Sequence, residues 1–115
     1  MREPPGPRRP MTRSKFFRKG GLLTGFTLSG HAGAGEEGED IVCAAVSSAA
    51  YMTANTLTDV YHFPAAVSVS DGFLSAELSE QDAERCRPLM EGFLLHLTGL
   101  QEQYPQHIQV IITEV

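Results

Sequence analysis

The chain has 115 residues, a length typical of one compact domain that buries a core without disulfide or metal crosslinks. Residues 1–19 hold seven of the nine Lys and Arg residues, whereas residues 20–115 hold two basic and 13 acidic residues, a formal charge of −11. The negative charge of residues 20–115 disfavours nucleic acid as a direct partner and favours a basic protein or peptide. An acidic surface that serves solubility alone is the alternative.

The two cysteines, Cys43 and Cys86, fall in separate helical patterns, and no hydrophobic core of a signal peptide is found near the start. We therefore expect free thiols and a cytoplasmic protein. No apolar run approaches the ~20 residues needed to cross a bilayer, so we expect no membrane partner. Residues 1–10 combine four prolines with three arginines and predict a disordered arm, followed by a single domain at residues 11–115.

The first half of the domain contains a predicted hairpin, a loop and a helix. Phe16 and Phe17, the turn dipeptide Gly20-Gly21 and the apolar stretch 22–29 predict strand, turn and strand. Residues 30–39 are rich in glycine and glutamate, which favours a mobile loop. Asp40 is the predicted helix cap. The residues that recur at helical spacing and form the predicted buried face are Val42, Val46, Ala49, Thr53, Leu57 and Val60.

The second half predicts another hairpin, another helix and a last strand. Apolar runs flank Asp71-Gly72, a dipeptide suited to a two-residue turn. Ser79 is the predicted cap of a helix that Pro88 should kink. Residues 108–115 are nearly apolar on both faces at Val110, Ile111 and Ile112, as expected of a central strand. The whole order predicts an α+β fold of order ββαββαβ, with a mixed sheet of about five strands and two helices on one face.

One histidine and one cysteine stand at opposite ends of the glycine-rich loop. With Asp40 as cap, Cys43 is the third helical residue, where free N–H groups and the helix dipole favour a thiolate. The same N–H groups could bind an oxyanion, and His31 could act as the base. Cys43 and Ser47 lie beside the predicted buried face, at the boundary of the core. Since Cys86 falls on the buried face of the second helix, we expect it to belong to the core.

Two other interpretations of these residues stay open. A free cysteine in an alanine-rich helix is most often a small buried side chain, and a loop histidine often only ends a strand. A metal site is the second alternative, but structural zinc sites use paired Cys or His at short spacing, and one of each is present here. We expect no metal and no other cofactor. The donors available to such a site are His31, Glu36, Glu37, Asp40 and Cys43.

Two sequence blocks carry a resemblance to a known family. They are Ser-Gly-His-Ala-Gly at 29–33 and Gly-Glu-Asp-Ile-Val-Cys-Ala-Ala-Val-Ser at 38–47. With both blocks at this separation, the chain resembles the ribosomal-processing cysteine protease (Prp) family from about residue 12 to its end. The resemblance implies a cysteine endopeptidase that removes the N-terminal extension of a large-subunit ribosomal protein. It also implies that Cys43 is the nucleophile and His31 its general base.

The resemblance further implies that Gly30, Asp40 and Ser47 support the site, that the protein is a homodimer, and that its substrate is a basic ribosomal protein. The chain departs from the family at residues 13–18, which are more basic and less apolar than the usual first strand. The charge distribution leaves an alternative function open. The protein would then be a non-catalytic assembly or binding module that docks a basic ribosomal protein on its acidic face.

Overall fold

A computed structural model describes residues 11–30 and 37–115, with the backbone alone for residues 37–40. The predicted arm at residues 1–10 and most of the predicted loop, including His31, lie outside the described residues. The strands are β1 (Thr12–Lys19), β2 (Leu22–Ser29), β3 (Ala66–Ser70), β4 (Phe73–Glu77) and β5 (Ile108–Glu114). The helices are α1 (Glu37–Asn55), which continues as a π-helical segment (Thr56–Val60), α2 (Glu80–Arg85) and α3 (Arg87–Gln103).

The strands form one mixed sheet in the order β3-β4-β2-β1-β5. β1 pairs in parallel with β5, and the other neighbours are antiparallel. This arrangement confirms the predicted α+β fold with five strands. Both predicted hairpin turns are present: Gly20 and Gly21 adopt φ of 57° and 85°, and Gly72 adopts 72°. Positive φ at these positions suits glycine, which has no Cβ to clash with the backbone.

The last strand lies at an edge of the sheet, so the predicted central position is wrong. Its apolar residues remain partly solvent-exposed, 36% for Ile111 and 48% for Ile112. Local hydrophobicity predicts burial of a strand but does not fix which strands flank it. The parallel connection through α3 brings β5 to the free side of β1, where Ile108 alone among the strand's residues is fully buried.

The basic residues of the first strand are accommodated because side chains along a strand alternate between the two faces of the sheet. Thr12, Ser14 and Phe16 point into the core, whereas Arg13 and Lys15 point to the opposite, open face of the sheet. The buried Ser14 hydroxyl donates a hydrogen bond to the Gln109 carbonyl oxygen at 3.4 Å. Charged residues therefore occupy the solvent side of a strand that still contributes a fully buried aromatic ring to the core.

Helix α1 begins at Glu37, three residues before the predicted cap, so residues 37–39 are not part of a loop and Asp40 is not the N-cap. Acidic residue types are favoured in the first turn of a helix, and positions 37, 39 and 40 all fall in that turn. This preference explains why the helix forms through Gly38 instead of starting after Asp40.

The buried face of α1 differs from the predicted one at its end and along one side. Val60 is 70% exposed because the helix passes into a π-helical turn, in which the Tyr61 N–H donates to the Thr56 carbonyl at 2.9 Å. One extra residue per turn rotates later positions away from the core. Ala50 and Ala54 are buried as well, and their spacing of seven and eleven residues from Cys43 places them on the same side of the helix as Cys43. The predicted face is otherwise buried, fully at Val42, Val46, Thr53 and Leu57 and partly at Ala49.

The second helical pattern forms two helices. The Asp82 N–H donates to the Ser79 hydroxyl oxygen at 3.1 Å, which confirms the predicted cap of α2. Cys86, with φ of −115°, separates α2 from α3. Pro88 then stands in the first turn of α3, where its missing N–H costs no helical hydrogen bond. The predicted kink is therefore a complete break.

The helices and the sheet enclose a core that centres on three aromatic rings. Phe93 of α3 lies 5.4 Å from the Phe16 centroid and 4.9 Å from the Phe26 centroid. The stretch Ile41–Val60 has the length and apolar composition that a membrane span requires. Several of its side chains, among them Val46 and Leu57, are fully buried and pack in this core, and 33% of its most apolar window is buried.

Candidate active site

A cleft of about 230 Å³ joins the end of β2 to one face of α1 and to the β3–β4 turn. Its floor is formed by the buried side chains of Leu28 and Leu74, and its walls carry polar and aromatic groups. The complete lining consists of Leu28, Gly30, Ser47, Tyr51, Ser70, Asp71, Gly72, Phe73 and Leu74. Three segments that are distant in sequence therefore meet at one small concave surface.

Gly30 is built into this cleft by geometry that no other residue fits. Its φ is 81°, and a Cβ at this position would lie 2.5 Å from the Met11 carbonyl oxygen. Its N–H donates to the Gly72 carbonyl at 3.1 Å, which ties the end of β2 to the β3–β4 turn. The residue that immediately precedes His31 is thus fixed against the cleft.

Cys43 lies on the α1 face that borders the cleft. It is half-buried and free, and it is followed one and two turns later by Ser47 and Tyr51, which both line the cleft. Residues at i, i+4 and i+8 share a helix face, so the Cys43 side chain projects along the same side of α1. The structure therefore brings together Gly30, Ser47 and the face of Cys43.

The start of α1 changes the predicted electrostatics of Cys43. As the seventh helical residue, Cys43 lies in the second turn, where its own N–H is engaged in the helix. The influence of the helix dipole falls off within the first turn. The helix terminus consequently contributes less to a thiolate than a third position would, and the Cys43 N–H is unavailable as an oxyanion donor.

Two predicted site residues cannot be placed by their side chains. His31 lies outside the described residues, and Asp40 is described by its backbone alone, within the first turn of α1. Among residues 11–30 and 41–115, no group of three or more His, Cys, Asp and Glu side chains could hold a metal ion.

Sequence reasoning missed two conspicuous members of the cleft, Tyr51 and Asp71. The spacing Cys43, Ser47, Tyr51 repeats every four residues and could have placed Tyr51 on the same helix face. Asp71 was interpreted as a turn residue, which it is, and nothing in its local sequence indicates that the turn borders a cleft.

Cys86 has the contrasting environment that the sequence predicted. Its side chain is 0% exposed and belongs to the hydrophobic core. Burial raises the pKa of this thiol, and the Asp82 carboxylate adds to the effect. A buried thiol that resists ionisation is unsuited to nucleophilic attack.

Larger cavities occur elsewhere on the molecule. One of about 580 Å³ lies on the open face of the sheet, and one of about 590 Å³ lies between α1 and α3. Neither is lined by Gly30 or by the Cys43–Ser47–Tyr51 face of α1. Volume alone therefore does not identify the site, whereas the small cleft is lined by two of the predicted site residues, Gly30 and Ser47, and lies one helical turn from Cys43.

Comparison with known proteins is consistent with this geometry. The family model described as cysteine protease Prp matches residues 11–109. The ribosomal processing cysteine protease Prp of Bacillus subtilis is 25% identical over 96 residues, covering 78% of this chain and 85% of the relative.

Solved structures share the fold over nearly the whole chain. The crystal structure of a Streptococcus mutans protein has a TM-score of 0.82 and 33% identity, covering 91% of this chain and 96% of its own. The ribosomal processing protease Prp of S. aureus, in complex with a substrate peptide, has a TM-score of 0.81 and 21% identity, covering 90% and 100%. A family model that spans most of the described domain settles the assignment: this chain is a cysteine protease that belongs to the Prp family.

Proposed function

We propose that this protein is a ribosome-processing endopeptidase that removes the N-terminal extension of a large-subunit ribosomal protein. The B. subtilis relative is a ribosomal processing protease, and the S. aureus structure holds a substrate peptide. The observation that carries the proposal is the half-buried free thiol of Cys43, one helical turn from a cleft beside Gly30 and Ser47.

In the proposed reaction, Cys43 is the nucleophile and His31 the general base. The Cys43 sulfur gives its proton to His31 and bonds to the carbonyl carbon of the scissile peptide. The C–N bond then breaks, and His31 passes the proton to the departing amine. Water, deprotonated by His31, attacks the thioester, which releases the extension as a carboxylic acid and returns the proton to sulfur. Because the helix terminus offers little activation, His31 carries most of it.

The proposed supports of the site divide into two kinds. Gly30 is a positioning residue, since its backbone holds the chain against the β3–β4 turn just before His31. Ser47 lines the cleft and presents a hydroxyl beside the scissile peptide. Asp40, in the first turn of α1, is proposed to orient His31.

Charge supports a basic substrate. Residues 20–115 hold 13 acidic and two basic residues, and a field of this sign steers cationic proteins towards the surface. Two free thiols support a reducing compartment, so we propose that processing takes place in the cytoplasm.

The function is tested by incubating the protein with the extended ribosomal protein and sequencing the products. We expect a single shortened product from the wild type, none from Cys43→Ser, and undiminished cleavage from Cys86→Ser as the matched control. Absence of cleavage by the wild type, or cleavage by Cys43→Ser at the parental rate, would overturn the proposal.

We also propose a homodimer, which the family resemblance implies. β5 is an edge strand whose outer side pairs with no strand among the described residues, and Ile112 and Val115 are 48% and 65% exposed. Apolar residues on an unpaired edge favour pairing with a second copy. Light scattering should give twice the chain mass for the wild type and for Met52→Lys on α1, and the chain mass for Ile112→Lys. A monomeric wild type would contradict this proposal.

A further inference from the structure

The cleft beside Cys43 contains one carboxylate that the rest of the described molecule does not use. Asp71 stands at the tip of the β3–β4 turn and lines the cleft. No described residue hydrogen-bonds to its side chain or forms an ion pair with it. Neighbouring lining residues include no Lys, Arg or His. Among the described residues, the cleft therefore has a negative group without a counter-charge.

Several other acidic side chains among the described residues have a hydrogen-bond or ion-pair partner, whereas Glu77, Glu102 and Glu114, like Asp71, have none among those residues. Glu91 accepts a hydrogen bond from Arg18 at 2.8 Å, and Glu80 pairs with Lys19 at 3.0 Å. Asp59 accepts a hydrogen bond from the Thr58 hydroxyl at 3.1 Å. Of the acidic residues without such a partner, Glu77 lines the cavity on the open face of the sheet, and among the described residues only Asp71 lines the cleft beside Gly30 and Ser47.

Two aromatic rings flank the same cleft. Tyr51 of α1 is 47% exposed and Phe73 of β4 is 39% exposed, although both are large side chains that usually bury more of their surface. An aromatic face attracts a cation and packs against the methylene groups that carry it. The buried Leu28 and Leu74 close the cleft from below, so a side chain that enters it contacts apolar surface along its length.

We propose that Asp71 forms a substrate subsite for a Lys or Arg side chain close to the scissile bond. The carboxylate binds the cationic head, while Tyr51 and Phe73 contact the aliphatic stem. A cleft of about 230 Å³ has room for one side chain and not for a folded segment. This subsite rests on the proposed function, because it supplies the substrate specificity of that site.

An uncharged, apolar side chain is the competing occupant. It would match the two rings and the leucine floor, but it would remove water from the Asp71 carboxylate without replacing the lost hydrogen bonds. The cationic side chain satisfies both the rings and the carboxylate. The two occupants make opposite predictions for a substitution that removes the charge and keeps the shape.

Asp71→Asn is that substitution. Asparagine has the same size as aspartate, and Asn-Gly is as well suited to a tight hairpin turn as Asp-Gly. The matched control is Asp59→Asn, which removes the same charge from the π-helical segment at the far end of α1. Any effect of net charge alone should appear equally in both variants.

The experiment measures binding without cleavage, in the Cys43→Ser background. The probe is a synthetic peptide that spans the N-terminal extension and the first residues after it in the extended ribosomal protein. Further peptides replace each Lys or Arg in turn by norleucine, which keeps the stem and removes the charge. Titration calorimetry gives Kd for every pair of protein and peptide.

We expect Asp71→Asn to raise the Kd of the parent peptide about five- to tenfold, and Asp59→Asn to change it by less than about twofold. One norleucine peptide should show the same loss with Asp71 intact and no additional loss with Asp71→Asn, as coupled partners require. The effect should shrink at high salt. Tighter binding by Asp71→Asn would instead identify an apolar occupant and overturn the proposal.

The remaining outcomes also decide between the proposals. Independent effects of Asp71→Asn and every norleucine substitution, or no binding of the peptide by the Cys43→Ser protein, would overturn the cationic subsite. Coupled binding together with a wild type that fails to cleave would overturn the proposed function and leave the subsite standing. Cleavage by the wild type without coupled binding would overturn the cationic subsite and leave the proposed function standing.

Discussion

The surroundings of Cys43 and Cys86 differ in nearly every respect that affects a thiol. Cys43 is half-buried on a helix face that borders a cleft, whereas Cys86 is 0% exposed at the junction between two helices. Burial raises the pKa of Cys86 and leaves it in contact with the core. Placement relative to the cleft, more than helical position, thus separates a thiol that a substrate can reach from one that only packs.

The largest expected effect in the region around Cys43 is the loss of its general base, His31. His31→Ala is expected to lower kcat/KM on the extended ribosomal substrate by at least about a hundredfold, because Cys43 in the second helical turn gains little from the dipole. His96→Ala, at an exposed position on α3, is the matched control and should retain activity. Equal activity of His31→Ala and His96→Ala would remove His31 from the mechanism.

The next effect is the difference in reactivity between the two thiols. In the native protein, iodoacetamide at neutral pH should modify Cys43 at least about a hundred times faster than the buried Cys86. Peptide mapping by mass spectrometry separates the two sites. In concentrated urea the rates should converge, because burial then protects neither thiol. Comparable native rates would show that Cys86 is accessible and that the contrast is wrong.

A smaller effect tests the backbone that borders the cleft. Gly30→Ala should lower the free energy of unfolding by about 1–3 kcal/mol, since its φ of 81° and the Met11 carbonyl both exclude a Cβ. Gly92→Ala places the same methyl in open space on α3 and should raise stability by about 0.5–1 kcal/mol. Urea denaturation measures both, and a Gly30→Ala variant as stable as the wild type would contradict the geometry.

The smallest effect is the pH dependence that Cys86 imparts to stability. Because burial raises the pKa of Cys86 in the folded protein, the unfolded chain loses this proton first as pH rises. The folded state is therefore favoured below about pH 8.5, the unfolded thiol's pKa, and loses that advantage as pH rises through the higher folded pKa. Between pH 7 and pH 10, the free energy of unfolding should therefore decrease more for the wild type than for Cys86→Ala. Identical slopes would contradict a buried, neutral thiol.

Local signals predicted much of this fold. Asp71-Gly72 and Gly20-Gly21 specified turns through their φ requirements, and Ser79 specified a helix start through its side-chain hydrogen bond. Pro88 indicated a helix interruption, since proline lacks an N–H. Each of these features depends on residues that are adjacent in sequence, which is why it could be predicted without a structure.

The errors came from choices that are not local. The edge position of β5 depends on which strands pair with β1 and on which side. The apolar pattern of β5 is compatible with a central position and with an edge position, so it does not decide between them. The exposure of Val60 depends on a π-helical turn that breaks the 3.6-residue period. At the start of α1, several acidic residues could each begin the helix, and among the described ones Glu37 is its first residue.

The candidate site follows the same division. Gly30, Cys43 and Ser47 were identified from sequence because two short motifs contain them. Tyr51 and Asp71 were not, because they enter the cleft only when α1 and the β3–β4 turn meet in three dimensions. The part of the site that we propose to bind substrate is thus the part that sequence motifs describe least.

The central claim, that Cys43 is the nucleophile, is tested most directly by trapping the acyl-enzyme. The protein is mixed with the extended ribosomal substrate, quenched in acid within the first turnover and mapped by mass spectrometry. The account predicts that the N-terminal extension is attached as a thioester to Cys43, and that Cys86 is unmodified. Shortened substrate that accumulates while Cys43 stays free, with the label on another residue, would contradict it.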